Sequence, residues 1–182
     1  MKGMVFTEFL EMVEQKFDPE TVDTIIENSN LPSGGAYTSV GTYDHQEMIE
    51  LVGQLSAMTG IAAADLIRTF GKHLFGRFAV NYPVFFEGIH STLAFLPNID
   101  SYVHVEVLKL YPDAELPSFE CRFDELDSFE MIYRSKHPFP DLAEGLIQGC
   151  IEHFGDSMDV KREDFNDASG PGSRFLISRS RS

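Results

Sequence analysis

Tyr102-Val103-His104-Val105-Glu106-Val107-Leu108-Lys109-Leu110-Tyr111-Pro112 is the stretch on which the fold turns. Read with a period of 3.6, Val103, Val107 and Leu110 form one apolar stripe, which makes the stretch a helix. The alternating valines also permit a strand. His104 stands one position around from the stripe and shares a face with Leu108 and Tyr111, and Pro112 stops the helix. A neutral imidazole so placed can present one ring nitrogen to a metal or haem. It can also make an ordinary structural hydrogen bond, the commoner role.

Upstream of this stretch the pattern is helical. Val5, Phe9, Met12, Val13 and Phe17 recur at helical spacing over residues 3–17. Asp18-Pro19-Glu20 predicts a stop and a new start, with Asp18 as cap and Pro19 at the first helical position. Val22, Ile25 and Ile26 carry the second helix, and a loop rich in Pro, Ser and Gly runs from Leu31 to Tyr43. Asp44-His45-Gln46-Glu47 is a capping pattern that opens a third helix through Met48, Leu51, Val52 and Leu55. A long helix follows over Asp65–Tyr82 with Leu66, Phe70, Leu74 and Phe78 on one side. Gly71 interrupts it, which a close packing neighbour would explain. Phe85, Ile89, Leu93 and Leu96 predict one more helix, closed by Pro97.

Downstream of Pro112 the texture changes. Phe119–Phe123 and Phe129–Ser135 alternate around a turn at Asp124–Ser128 and read as a hairpin. Asp141-Leu142-Ala143-Glu144 predicts a second capping box and a helix to Phe154. Its face of Leu142, Gly145, Leu146, Gly149 and Cys150 is apolar or very small, suited to close approach, either in tight helix–sheet packing or as one wall of a cavity. Met158–Arg162 and Arg174–Ser178 read as two further strands joined by a turn at Gly170-Pro171-Gly172. The expectation is an α+β domain: an N-terminal helical subdomain, then a small antiparallel sheet of about four strands with a helix inserted. The division expected is 1–60 helical and 61–182 α+β, within one domain of 1–182.

The chain has 182 residues, 43% of them hydrophobic, enough for a real core. Its net charge of −15 and lack of a basic stripe argue against a nucleic-acid partner. Cys121 and Cys150 have no zinc-cluster spacing, and reduced thiols in a cytoplasmic protein are the simplest reading. No signal-peptide core and no run of about 20 apolar residues is present, so no membrane association is expected. No Cys or His follows His153, so no C-terminal zinc site is expected. On the second strand Tyr133, Ser135 and His137 share a face by the period of two, a row able to bind a pair of carboxylates or simply to face solvent.

The sequence resembles the H-NOX family, the haem–nitric oxide/oxygen binding domains that include bacterial sensors and the haem domain of soluble guanylate cyclase. The resemblance covers essentially the whole chain. It rests on Met1-Lys2-Gly3, on His104-Val105-Glu106-Val107 with Leu110-Tyr111-Pro112 after it, on Pro117, and on Tyr133-Arg134-Ser135-Lys136-His137, which is similar to the Y-x-S-x-R motif. It implies haem b (iron protoporphyrin IX) held between the two halves, with His104 as the iron ligand. Tyr133, Ser135 and His137 would hold propionates, and Pro117 would press on the porphyrin. His137 stands where the motif has arginine. Arginine offers a permanent charge and a two-pronged donor, histidine neither at every pH, which bears on haem retention and not on the fold.

The gas pocket implied is Val5, Phe9, Leu74, Phe78, Leu142 and Leu146. In oxygen-binding relatives a tyrosine donor stands at the position of Leu142. The expectation is therefore binding of nitric oxide and CO with no stable O₂ complex. The function implied is a non-enzymatic, haem-dependent nitric oxide sensor regulating a separate signalling protein, such as a histidine kinase or a cyclic-di-GMP enzyme. The rivals are a haem enzyme, which would need polar distal groups, and a haem-free or weakly haem-binding module for a hydrophobic ligand or protein partner on the same fold.

Overall fold

The computed structural model describes residues 1–123 and 128–180. The chain divides into two compact units, Met1–Phe70 and Gly71–Ser182. The division falls inside a helix, at Phe70 and Gly71, ten residues beyond the boundary expected from sequence.

The first unit holds α1 (Gly3–Lys16), α2 (Pro19–Glu27), α3 (His45–Thr59) and the start of α4 (Ala63–Asn81). Asp18 caps α2 as its sequence predicts, accepting the Thr21 N–H at 2.7 Å. Asp44 caps α3 through the Gln46 N–H at 2.9 Å. The other half of that capping box does not form. The Glu47 carboxylate instead accepts from the Ser33 and Tyr37 hydroxyls and is buried. One charged group thus organises the loop between α2 and α3, because a buried carboxylate needs donors and the loop supplies them. The Tyr37 hydroxyl pKa is pushed up to about 12, chiefly by burial. Phe6, Phe9, Leu51 and Leu55 are fully buried. At about 1.5–3 kcal/mol per large apolar side chain, such burial outweighs any single cap.

The second unit contains the rest of α4, α5 (Thr92–Phe95), α6 (His104–Leu110), α7 (Pro140–Phe154) and four strands. The strands are β1 (Ser118–Phe123), β2 (Ser128–Arg134), β3 (Met158–Asp167) and β4 (Gly170–Arg179). They form an antiparallel sheet in the order β1-β2-β4-β3. Phe129 pairs with Ile177, Met131 with Phe175 and Tyr133 with Ser173, so one face of β2 and β4 is apolar and buried. Against it pack Ala143, Ile147, Cys150 and Ile151 of α7, with Phe75, Phe85, Phe95 and Leu96.

Several expectations need correction. The helix expected through Phe85 to Leu96 is broken into a 3-10 turn (Pro83–Phe86), α5 and a second 3-10 turn (Leu96–Asn98). Gly88 adopts φ +74° between them, which an α-helix cannot contain. The last hairpin is longer than expected. Pro171 and Gly172 pair with Asn166 and Phe165 inside the ladder, and the chain reverses at Ala168–Ser169. Asp141 does not cap α7; it and Glu144 both accept from Arg162 of β3, at 2.8 and 2.9 Å. The turn expected at Asp124–Ser128 falls on residues 124–127, outside the described residues.

The small face of α7 admits a close neighbour, but that neighbour is α4 and not the sheet. A Cβ on Gly71 would lie 2.6 Å from the Leu142 carbonyl oxygen and 2.7 Å from the Gly145 Cα. One on Gly149 would lie 2.8 Å from the Phe75 Cβ. The second part of α4 and α7 therefore meet backbone to backbone. Among the described residues no helix is long and apolar enough to cross a membrane.

Candidate functional site

A π-turn, Ile99–Val103, runs into α6, and His104 is the first residue of that helix. The ring is 17% exposed and its Nδ1 lies 2.9 Å from Asp100 Oδ1. An ionised carboxylate only accepts, so Nδ1 carries the proton and Nε2 keeps the ring's lone pair. Burial pushes the His104 pKa below the ordinary imidazole value, with Asp100 pulling it part of the way back. The neutral ring that ligation needs is thus the favoured form.

Around His104 the elements bring aromatic groups together. Phe119 of β1 has its ring centre 5.9 Å from that of His104 and 5.5 Å from that of Tyr133. Asp100 Oδ2 accepts the Phe119 N–H at 2.8 Å, which joins the π-turn to β1. Neither Phe119 nor Asp100 was singled out by the sequence. Phe119 was legible only as an inward strand position, and Asp100 only as an acidic residue one helical turn before His104. Pro117 lies directly before β1, partly buried.

Tyr133 sits near the end of β2 and is buried. Its hydroxyl oxygen accepts the Phe139 N–H at 2.9 Å, which leaves its own proton to the neighbouring Ser135 hydroxyl or to a ligand. Burial raises its pKa, with the Phe139 amide and Ser135 hydroxyl opposing, and the phenol stays protonated. The shared strand face expected for Tyr133, Ser135 and His137 is not formed, because β2 ends at Arg134. Ser135 and His137 lie instead in a tight turn. There the Ser135 hydroxyl accepts the His137 N–H at 3.3 Å and donates to the His137 carbonyl at 3.1 Å. The His137 Nε2 lies 3.4 Å from a Glu115 carboxylate oxygen, and Lys136 pairs with the same carboxylate at 2.6 Å. Lys136 first, and His137 less, hold the Glu115 carboxyl below its usual range.

The remaining candidates are apolar. Leu74 is buried on α4, and the Phe78 ring lies one turn on, 6.3 Å from Tyr82. Leu142 and Leu146 are half-buried on α7, with Leu146 against the core. Val5 and Phe9 belong to the Met1–Phe70 unit, where Phe9 is fully buried and edge-on to Phe70 at 5.3 Å. None of the six side chains carries a hydrogen-bond donor.

This donor set fits a haem: an imidazole with an uncommitted lone pair, flat aromatic neighbours, and a hydroxyl whose proton is available to a carboxylate. The clefts on the outer sheet face, one lined in part by Glu130, Arg134, Glu163 and Arg174, include none of these residues.

The profile of the family described as Haem-NO-binding matches residues 2–162. The fold is similar to the Fe(II) unliganded H-NOX protein from K. algicida, at 39% identity and a TM-score of 0.90, covering 100% of this chain and 98% of that one. It is also similar to the IWP-051-bound H-NOX from Shewanella woodyi in the Fe(II)CO state. There the identity is 42% and the TM-score 0.83, over 99% of this chain and 95% of that one. The S. oneidensis H-NOX in the Fe(II)NO state, at 21% identity and a TM-score of 0.89 over all of both chains, shares the fold. The chain belongs to the Haem-NO-binding, or H-NOX, family of haem-binding gas sensors.

Proposed function

We propose that this chain senses nitric oxide at a haem b whose iron is held by His104, and passes the signal to a separate signalling protein. The observation that carries the reading is the placement of His104: its ring is 17% exposed and its Nδ1 lies 2.9 Å from Asp100 Oδ1, an arrangement that favours a neutral ring with the Nε2 lone pair left for a metal. Tyr133 would donate to a propionate, Ser135 would do so by turning its hydroxyl away from the His137 carbonyl, His137 would contribute charge when protonated, and Pro117 would bear on the porphyrin. Haem held there would supply an iron able to bind the gas, with His104 as the protein's ligand to it.

Gas choice follows from Leu74, Phe78, Leu142 and Leu146. Bound O₂ carries partial negative charge and asks for a hydrogen-bond donor, whereas nitric oxide and CO depend on one far less. An apolar set excludes water and offers no donor, which favours nitric oxide and CO. It also lacks the polar groups an O–O-cleaving enzyme uses. The output would follow from His104. A ligand moves a conformational equilibrium only by interacting differently with its states. A change at His104 would be felt by α6, whose Val105, Leu108 and Leu110 are exposed where a histidine kinase or cyclic-di-GMP enzyme could read them.

The test is an absorption spectrum of the purified protein beside that of His104→Gly. The expected result is a strong Soret band in the parent, its loss in the variant, and its return with added imidazole. A variant with the parent's ferrous spectrum would sink the assignment of His104. A parent without a Soret band after haem reconstitution would favour the haem-free module.

A further inference from the structure

Asp100 uses both carboxylate oxygens. Oδ1 accepts the His104 Nδ1–H at 2.9 Å, and Oδ2 accepts the Phe119 backbone N–H at 2.8 Å. An aspartate four residues before a histidine on a helix is a common surface pair, free to swing into water. This one is not free, because the amide of a β1 residue fixes its second oxygen. The π-turn Ile99–Val103 is the segment that carries it to both partners. Asp100 is 37% exposed and His104 17%, so water screens the charge. The direct hydrogen bond is not screened in the same way.

We infer that Asp100 is a positioning residue that sets how strongly His104 donates to the haem iron, an inference that rests on His104 being the iron's ligand. A ligand histidine whose far ring nitrogen donates to a carboxylate has a fixed tautomer, a fixed ring orientation and a more basic ligating nitrogen. A more basic Nε2 makes a stronger bond to iron and favours the ferric over the ferrous state. With nitric oxide acting on that bond, Asp100 would set how readily it gives way. Because its other oxygen is bound to β1, the same carboxylate keeps the ring aligned with the sheet whether or not Nε2 is engaged.

Asp100→Asn keeps the shape and removes the charge, and Asp100→Ala removes both bonds. In the haem-loaded ferrous protein, both variants should lower the iron–histidine stretching frequency read by resonance Raman. At a fixed potential the ferric-to-ferrous ratio should fall about tenfold, a rise of about 59 mV for a one-electron couple. Haem should dissociate about ten times faster or more. In the haem-free protein, ¹⁵N resonances of His104 should report the Nδ1–H tautomer in the parent and a shift toward Nε2–H in Asp100→Asn. Should Asp100→Ala fail to fold, Asp100→Asn decides alone, with its far-ultraviolet circular dichroism matched to the parent. Parental stretching frequency and potential in a folded Asp100→Asn would overturn the inference. His104→Gly separates the two ideas. If it loses haem while Asp100→Asn behaves as the parent, His104 is the ligand and Asp100 does not tune it. If it keeps the parent's spectrum, both fall together.

Discussion

The same substitution should have opposite effects at two glycines of the second unit. Gly76 lies inside α4, and a Cβ there would meet nothing within 4 Å. Gly76→Ala therefore gains only helix propensity, about 1 kcal/mol. Gly149 lies inside α7, and its Cβ would fall 2.8 Å from the Phe75 Cβ and 3.1 Å from both the Cα and the carbonyl oxygen of Lys72. Gly149→Ala gains the same propensity but must push apart a backbone and a Cβ, neither of which can swing away. Overpacking of this kind costs about 1–3 kcal/mol, and contact with backbone belongs toward the upper end. The net expectation is a loss of about 1–2 kcal/mol. Urea unfolding of both variants at matched haem loading, followed by far-ultraviolet circular dichroism, measures the difference. Gly76→Ala should raise the midpoint and Gly149→Ala should lower it, with unchanged slopes. A Gly149→Ala protein as stable as Gly76→Ala would refute the close approach of α4 and α7.

Two further outcomes are expected. The ferrous protein should bind nitric oxide and CO but show no long-lived oxygenated spectrum in air, and Leu142→Tyr should move it toward O₂; a stable oxygenated parent would contradict the apolar pocket. The Cys121 thiol is pushed up to about 11, first by burial and then by the Asp100 charge. At pH 8 its thiolate fraction is then about 1 in 1,000, against about 1 in 4 for an ordinary thiol of pKa about 8.5. The greater nucleophilicity of a more basic thiolate recovers about tenfold, leaving alkylation about twentyfold slower than for a free thiol and rising with pH toward 11. Iodoacetamide labelling at the free-thiol rate at pH 8 would contradict the burial of Cys121.

Much of the fold was legible because local rules and tertiary contacts agree. Asp18 before Pro19 fixed one helix start, and the spacing of Val103 and Val107 marked the His104 segment as helical, although Leu110 of the same stripe is exposed. Alternation placed Phe129, Met131 and Tyr133 on the buried face of β2. The failures come from partners outside the segment being read and from local backbone geometry that spacing does not report. Glu47 and Asp141 both looked like helix-start residues until Ser33, Tyr37 and Arg162 claimed them. Gly170-Pro171-Gly172 looked like a turn because it has a turn's composition, yet β3 pairs with all of it. Gly88 broke an apolar run whose spacing alone predicted one helix. At the candidate site, His104 and Tyr133 were singled out through the family resemblance, since residue type and spacing alone left a structural histidine and a solvent face open. Asp100 was not, since its role depends on a strand that begins 18 residues later.

The sheet order leaves β1 and β3 as its outer strands, and β3 is the longer, at ten residues. An open strand of that length is an invitation to polymerise, because its unpaired amides and carbonyls can template another chain. Here the invitation is withdrawn by composition: Asp159, Lys161, Arg162, Glu163, Asp164 and Asp167 make six of its ten residues charged. A second copy drawing alongside would have to strip water from these charges. The strand that closes the sheet also keeps the protein dispersed, and neutralising Lys161, Glu163 and Asp164 together should show first as clumping at high concentration, before any loss of fold.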